Sequence, residues 1–215
     1  MRGGLAMTTP ASTADTETVV RHVALVKWKS GATPEQIHVA QGAFAGFVPH
    51  MPGYLGHHVA PNLGIDVLPE LSWDFAYIAD FRTIADFKAY QAHPMHTEYG
   101  QKYVHAARAD SRRVQFLAEP QASTGKDKLV RHIVLVQWKP GTGPERISDA
   151  MKAFPDMAAK IPGLVRSSIG PNLGIDVRPD LNWDFAFVID FDGIAAVRSA
   201  VRPAHTDHSV SMGKV

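Results

Sequence analysis

The sequence predicts an α+β chain made of two β-α-β-β-α-β repeats, the second lacking its last strand. Three observations carry this. Arg21 to Lys29 (Arg-His-Val-Ala-Leu-Val-Lys-Trp-Lys) recurs as Arg131 to Lys139 (Arg-His-Ile-Val-Leu-Val-Gln-Trp-Lys), an offset of 110. Pro61 to Phe81 matches Pro171 to Phe191 without a gap, identical at 15 of 21 positions, which marks a duplication. Within each copy, strand-like runs alternate with helical stretches. A repeat of this length is a domain rather than a solenoid unit. The expected division is a disordered tail over residues 1–18, a first repeat over 19–118, a polar linker over 119–129 and a truncated second repeat over 130–215.

The elements follow in order. Val20 to Lys29 is rich in β-branched residues and apolar on both alternate faces. Both faces are therefore expected to be covered, one by helices and one by a second sheet. Thr33-Pro34-Glu35-Gln36 is a capping box with proline at the first helical position. Ile37, Phe44, Phe47, Val48 and Met51 then share one helical face, and Pro52-Gly53, repeated as Pro162-Gly163, stops the helix. A short strand is expected from Tyr54 to Val59, and another from Trp73 to Phe81 with Trp73, Phe75, Tyr77, Ala79 and Phe81 on one face. A helix follows over Ile84 to Gln91, is interrupted at His93-Pro94 and continues to about Ala107. Arg113 to Leu117 reads as the last strand. This order is the ferredoxin-like unit. In the second copy Pro155 falls inside the first helix, where it is expected to kink it. The sequence stops where the first repeat still has a strand to come, so the second sheet is expected to have an open edge. The N-terminal segment or a second chain is the expected cap.

Composition narrows the partners. With 215 residues the chain can bury a core unaided. Formal net charge is +1, which gives no electrostatic reason to expect nucleic acid or membrane. Cysteine is absent, so thiolate chemistry and disulfides are excluded. No apolar run approaches the roughly 20 residues needed to cross a bilayer, and the first 18 residues contain no secretory apolar region. A cytoplasmic location is expected.

The opening strand, together with Phe87-Lys88-Ala89-Tyr90-Gln91-Ala92-His93-Pro94-Met95-His96, resembles the stress-responsive dimeric α/β-barrel (Dabb) family. The signature is an aromatic residue, a short spacer and His-Pro-x-His. The resemblance covers about residues 20–118 and, less completely, 130–215. It implies a barrel closed by two sheets, supplied here by one chain as a pseudo-dimer, with a homodimer of that chain left open. The family includes polyketide cyclases of the olivetolic acid type, lactone isomerases and stress proteins without a known reaction. By resemblance to the cyclases, His22, Tyr90 and His96 are the expected catalytic residues. A further cyclase histidine aligns with Phe75, so the sequence departs there. The second repeat keeps His132 and His205, but Ser199-Ala200 stands near the tyrosine position and Arg202 replaces the first signature histidine.

Histidine suits proton transfer near neutral pH, and a tyrosine hydroxyl can hold an enolate oxygen. The expected function is a cofactor-free proton-transfer enzyme (cyclase, isomerase or lyase) acting on a small aromatic or polyketide-like carbonyl compound held in the barrel cavity. Trp73, Phe75, Tyr77, His93, His132 and His205 are the expected substrate contacts. The alternatives are a non-catalytic ligand-binding or stress barrel and a cofactor-free oxygenase. Plainer roles exist for each residue: His93-Pro94 ends a helix, Tyr90 fills core and His22 marks the wet end of a strand. A metal is not expected, because the His93/His96 pair is separated by a proline and neither it nor the His57-His58 pair has an obvious third ligand. The Asn62-Leu63-Gly64-Ile65-Asp66 loop reads as turn geometry with Asp66 as a cap.

Overall fold

Apolar residues on both faces of the first strand require cover on both sides, and the computed structural model has that arrangement. It describes residues 18–46, 48–65, 69–121 and 128–201. The first repeat comprises β1 (Val19–Trp28), α1 (Pro34–Gly46), β2 (Tyr54–Pro61), β3 (Phe75–Phe81), α2 (Ile84–Ala92), α3 (Pro94–Tyr99) and β4 (Arg108–Ala118). The second comprises β5 (Val130–Val136), α4 (Pro144–Ala158), β6 (Leu164–Pro171), β7 (Phe185–Phe191) and α5 (Gly193–Val201). The sheets run β2-β3-β1-β4 and β5-β7-β6, antiparallel throughout. These are two ferredoxin-like units, the second with three strands among the described residues.

Parity along β1 sorts its side chains. Val20, Ala24 and Val26 join Phe75, Tyr77, Ala79, Phe81, Phe87 and Tyr90 in a core beneath the helices. Val19, Val23 and Leu25 face the other way, into a core shared with Leu135, Ala186 and Val188 of the second repeat. The capping box forms as read: Gln36 N–H donates to Thr33 Oγ1 at 3.2 Å, and Thr33 N–H to Gln36 Oε1 at 2.9 Å. α1 buries Ala40 and Ala43, while Val48 and Met51 are buried just beyond its end. Phe47 lies outside the described residues, as do most of the 1–18 tail and Asp66. After α3 a π turn spans Gly100–Val104. β4 starts five residues earlier than its apolar core suggested, because polar Arg108 to Arg112 still pair with β1. α4 runs through Pro155.

β4 joins the repeats. Its Gln115 and Arg113 carbonyls accept N–H groups from Leu173 at 2.7 Å and Trp183 at 3.0 Å. Between the sheets, Arg21 donates to both oxygens of Asp80 at 2.8 and 2.6 Å and to Ser168 Oγ at 2.8 Å. The pseudo-equivalent Arg131 binds Asp190 at 2.6 and 2.8 Å, but the counterpart of Ser168 is exposed His58. β5 is also shorter than β1 and has one strand neighbour among the described residues. β1 pairs with β3 over Val20 to Val26 and β5 with β7 over the equivalent Val130 to Val136, whereas only β1 is extended further by β4.

Candidate active site

The helix-facing side of β1 presents His22 to an aromatic box. Its ring centroid lies 5.2 Å from Phe87, 5.7 Å from Tyr77 and 6.1 Å from Tyr90. β3 supplies Tyr77, and α2 supplies Phe87 and Tyr90 from positions one turn apart. His96, on α3, sits 4.7 Å from Tyr90 between ring centroids. The turn at His93-Pro94 sets that contact. His93 ends α2 and opens α3, and its Nδ1 accepts the Met95 N–H at 3.2 Å. His93 is therefore held as a cap, which is a structural place for a residue expected to touch substrate.

A polar chain crosses from the second repeat. Gln115, opposite His22 on β4, places Nε2 3.0 Å from His22 Nδ1 and 3.1 Å from Asp176 Oδ2. Arg113 Nη1 lies 3.6 Å from the same carboxylate oxygen. Asp176 comes from the loop after β6, whose Leu173 and Ile175 pack against the first repeat's helix-side core. The first repeat reciprocates, since Ile65 packs on the core of the second.

Burial governs the protonation states. It drives the His22 imidazole down to about 3, with Arg113 and His96 pushing the same way and Asp176 opposing. His96 falls to about 4, through burial and then Arg113. Burial lifts the Tyr90 phenol to about 12 and Tyr77 well above the usual phenol range, where Tyr90 adds to the effect. At neutral pH the site thus holds two neutral imidazoles and two un-ionised phenols.

The structure brings His22, Tyr77, Tyr90 and His96 together. Phe75 lies further along the same face, against Trp28 and Phe44. Trp73 does not share that face: it belongs to the inter-sheet layer, edge-on to Trp183 at 6.2 Å. The alternation breaks because Asp74 turns the chain, its N–H bonded to the Val26 carbonyl and its carboxylate to the Trp28 N–H. His132 lies in the second sheet opposite Ile189, and His205 falls outside the described residues. Gln115, Arg113 and Asp176 were not anticipated. Among the described residues no group of three His, Asp or Glu side chains could hold a metal, and no helix is long and apolar enough to cross a membrane.

The model of the stress responsive A/B barrel domain family (Dabb) matches residues 20–116 and 130–212. The chain belongs to this family. Both Dabb repeats together resemble a putative monooxygenase from Lactobacillus acidophilus, 18% identical, covering 88% of this chain and 84% of that one with a TM-score of 0.50. A dimeric ferredoxin-like protein of unknown function from Thermobifida fusca is 29% identical over 46% of this chain and 90% of its own, with a TM-score of 0.41. The hydroxynitrile lyase from Passiflora edulis is 18% identical over 49% of this chain and 97% of its own, with a TM-score of 0.42. No curated protein matches.

Proposed function

We propose that the first Dabb repeat is a cofactor-free proton-transfer site for a small aromatic or polyketide-like carbonyl compound. The observation that carries this is the Tyr90–His96 contact at 4.7 Å, with Tyr90 buried and His96 half-buried. An imidazole that protonates only at about 4 is a free base at neutral pH. A phenol lifted to about 12 is a reliable hydrogen-bond donor. In this reading His96 removes a proton next to the carbonyl, and Tyr90 donates a hydrogen bond to the oxygen that becomes anionic. The oxyanion stabilises the new imidazolium, which then returns the proton to the product. The net reaction is a cyclisation, isomerisation or elimination without redox change. Buried His22 shares the aromatic box with Tyr90, 6.1 Å away between ring centroids.

The test is a thermal shift screen of aromatic β-keto acids, lactones and phenols on wild type, His96→Ala and Tyr90→Phe, followed by turnover assays on any hit. A ligand at 100 times its Kd stabilises by about 2.7 kcal/mol, and each kcal/mol moves the midpoint by roughly 2–4 °C at this size. His96→Ala should fold normally and lose about 10²-fold or more in turnover. A variant that changes only baseline stability, with no ligand found, would leave a non-catalytic barrel. Oxygen uptake with a phenol would make it an oxygenase.

A further inference from the structure

We propose that Asp176 of the second repeat is a positioning residue for the first-repeat site: acting through Gln115, it decides which ring nitrogen of His22 carries the proton. The catalytic consequence rests on the proton-transfer reading above, whereas the tautomer is a property of the empty protein.

A carboxylate only accepts hydrogen bonds. The Gln115 atom facing Asp176 Oδ2 at 3.1 Å must therefore be the NH2 group. That same nitrogen lies 3.0 Å from His22 Nδ1, and its second hydrogen points there. Nδ1 then has to offer its lone pair, which leaves the single proton of the neutral ring on Nε2, the far side from Gln115. The reversed amide would set Oε1 against the carboxylate, two acceptors facing each other. In the orientation found, Gln115 Oε1 is buried and has no hydrogen-bond partner. An amide would not leave its carbonyl unmatched unless something held it, and Asp176 is the group that does.

Asp176 is itself fixed. Its Oδ1 accepts the Arg178 N–H at 2.8 Å, and Arg113 lies 3.6 Å from Oδ2. The loop that carries it is shaped by Asn172, which accepts the Gly174 N–H at 3.0 Å and donates to the Trp183 carbonyl at 2.6 Å. Gly174 there has a φ of 65°, which glycine adopts without strain. The adjacent Leu173 N–H bonds to the carbonyl of Gln115 at 2.7 Å. The loop thus grips Gln115 by both backbone and side chain. The second repeat has alanine at the tyrosine position (Ala200) and contributes instead by completing the site of its neighbour.

The experiment is NMR of the full chain labelled with 15N in histidine and glutamine, at pH 7. In wild type, His22 should show the Nε2–H pattern in long-range proton–nitrogen spectra, with His22→Gln used for assignment. Both Gln115 amide protons should exchange slowly with solvent, each held by an acceptor. Asp176→Asn can present its own NH2 to Gln115 Oε1, so the amide is free to reverse and His22 should shift toward the Nδ1–H form. On the proton-transfer reading, kcat should then fall by roughly 10-fold or more with KM little changed. An Nδ1–H form in wild type, or fast exchange of either Gln115 proton, overturns the proposal without any variant. So does an unchanged tautomer in folded Asp176→Asn and Asp176→Ala. A wild type without turnover would sink the proposed function and leave the tautomer result standing.

Discussion

A buried neutral histidine ties stability to pH. In the unfolded chain His22 and His96 protonate near 6.5, but in the fold only near about 3 and about 4. Between those values the unfolded state binds more protons than the folded one. Stability is therefore fully present above about pH 6.5 and is lost as pH falls toward 4, by up to about 1.4 kcal/mol per pH unit for each histidine. Urea titrations at pH 7, 5.5 and 4.5 should show this slope, and His22→Gln should make it shallower by up to one proton. An unchanged slope in that variant would mean that His22 is already charged in the folded protein. His22, Tyr90 and His96 were legible in the sequence because they lie in contiguous signatures, and Tyr77 because strand parity put it on the right face. Gln115 and Asp176 were not. They stand 61 residues apart in different repeats, and nothing local to Asp176 distinguishes it from Asp66, its copy in the first loop.

At the scale of elements, the most informative difference between the copies is one methyl group. Gly170 on β6 corresponds to Ala60 on β2. A Cβ on Gly170 would lie 2.7 Å from the Phe116 ring on β4, so β6 can approach β4 only as glycine. Ala60 is exposed, with no strand against its side of the sheet among the described residues. Gly170→Ala should cost about 1–3 kcal/mol through overpacking, whereas Ala60→Gly should cost no more than about 1 kcal/mol. Chemical denaturation of both checks this, and a neutral Gly170→Ala would mean that β4 and β6 are not packed as described. The elements themselves were largely legible. The capping box set the start of α1, but the glycines do not mark the helix ends: α1 stops at Gly46 and α4 at Ala158, and Gly53 (φ 63°) and Gly163 (φ 75°) shape the turns into β2 and β6. The length of β4 was hidden because its first half is polar. The shorter β5 was hidden because its sequence closely repeats that of β1.

For the whole molecule, the Arg–Asp pairs formed within each sheet, on the side facing the other, measure how unequally the two halves are closed. The Arg21 side chain is fully buried and bridges Asp80 to Ser168 of the other repeat. Arg21→Ala leaves Asp80 uncompensated and should cost about 3–5 kcal/mol. Arg131→Ala should cost clearly less, because Asp190 keeps Arg166 at 2.6 Å and Arg131 is partly open to water. Equal losses in denaturant titrations would contradict the asymmetry. The two-repeat organisation was legible from the 110-residue offset, and the order of elements read in the first copy carries over to the second as far as α5. The way the loop after β6 packs Leu173 and Ile175 on the first repeat's core, and Ile65 after β2 packs on the second's, was not legible, because identical loop sequences carry no mark of which core they enter. That exchange of loops has a practical corollary. In a symmetric dimer every substitution appears in both sites at once, so a change to the catalytic face also alters the loop-donating face. Here the two faces sit at different positions of one gene. A mutant library can therefore vary the loop from Asn172 to Asp176 while the box around His22 stays fixed, or the reverse, and selection can act on each separately.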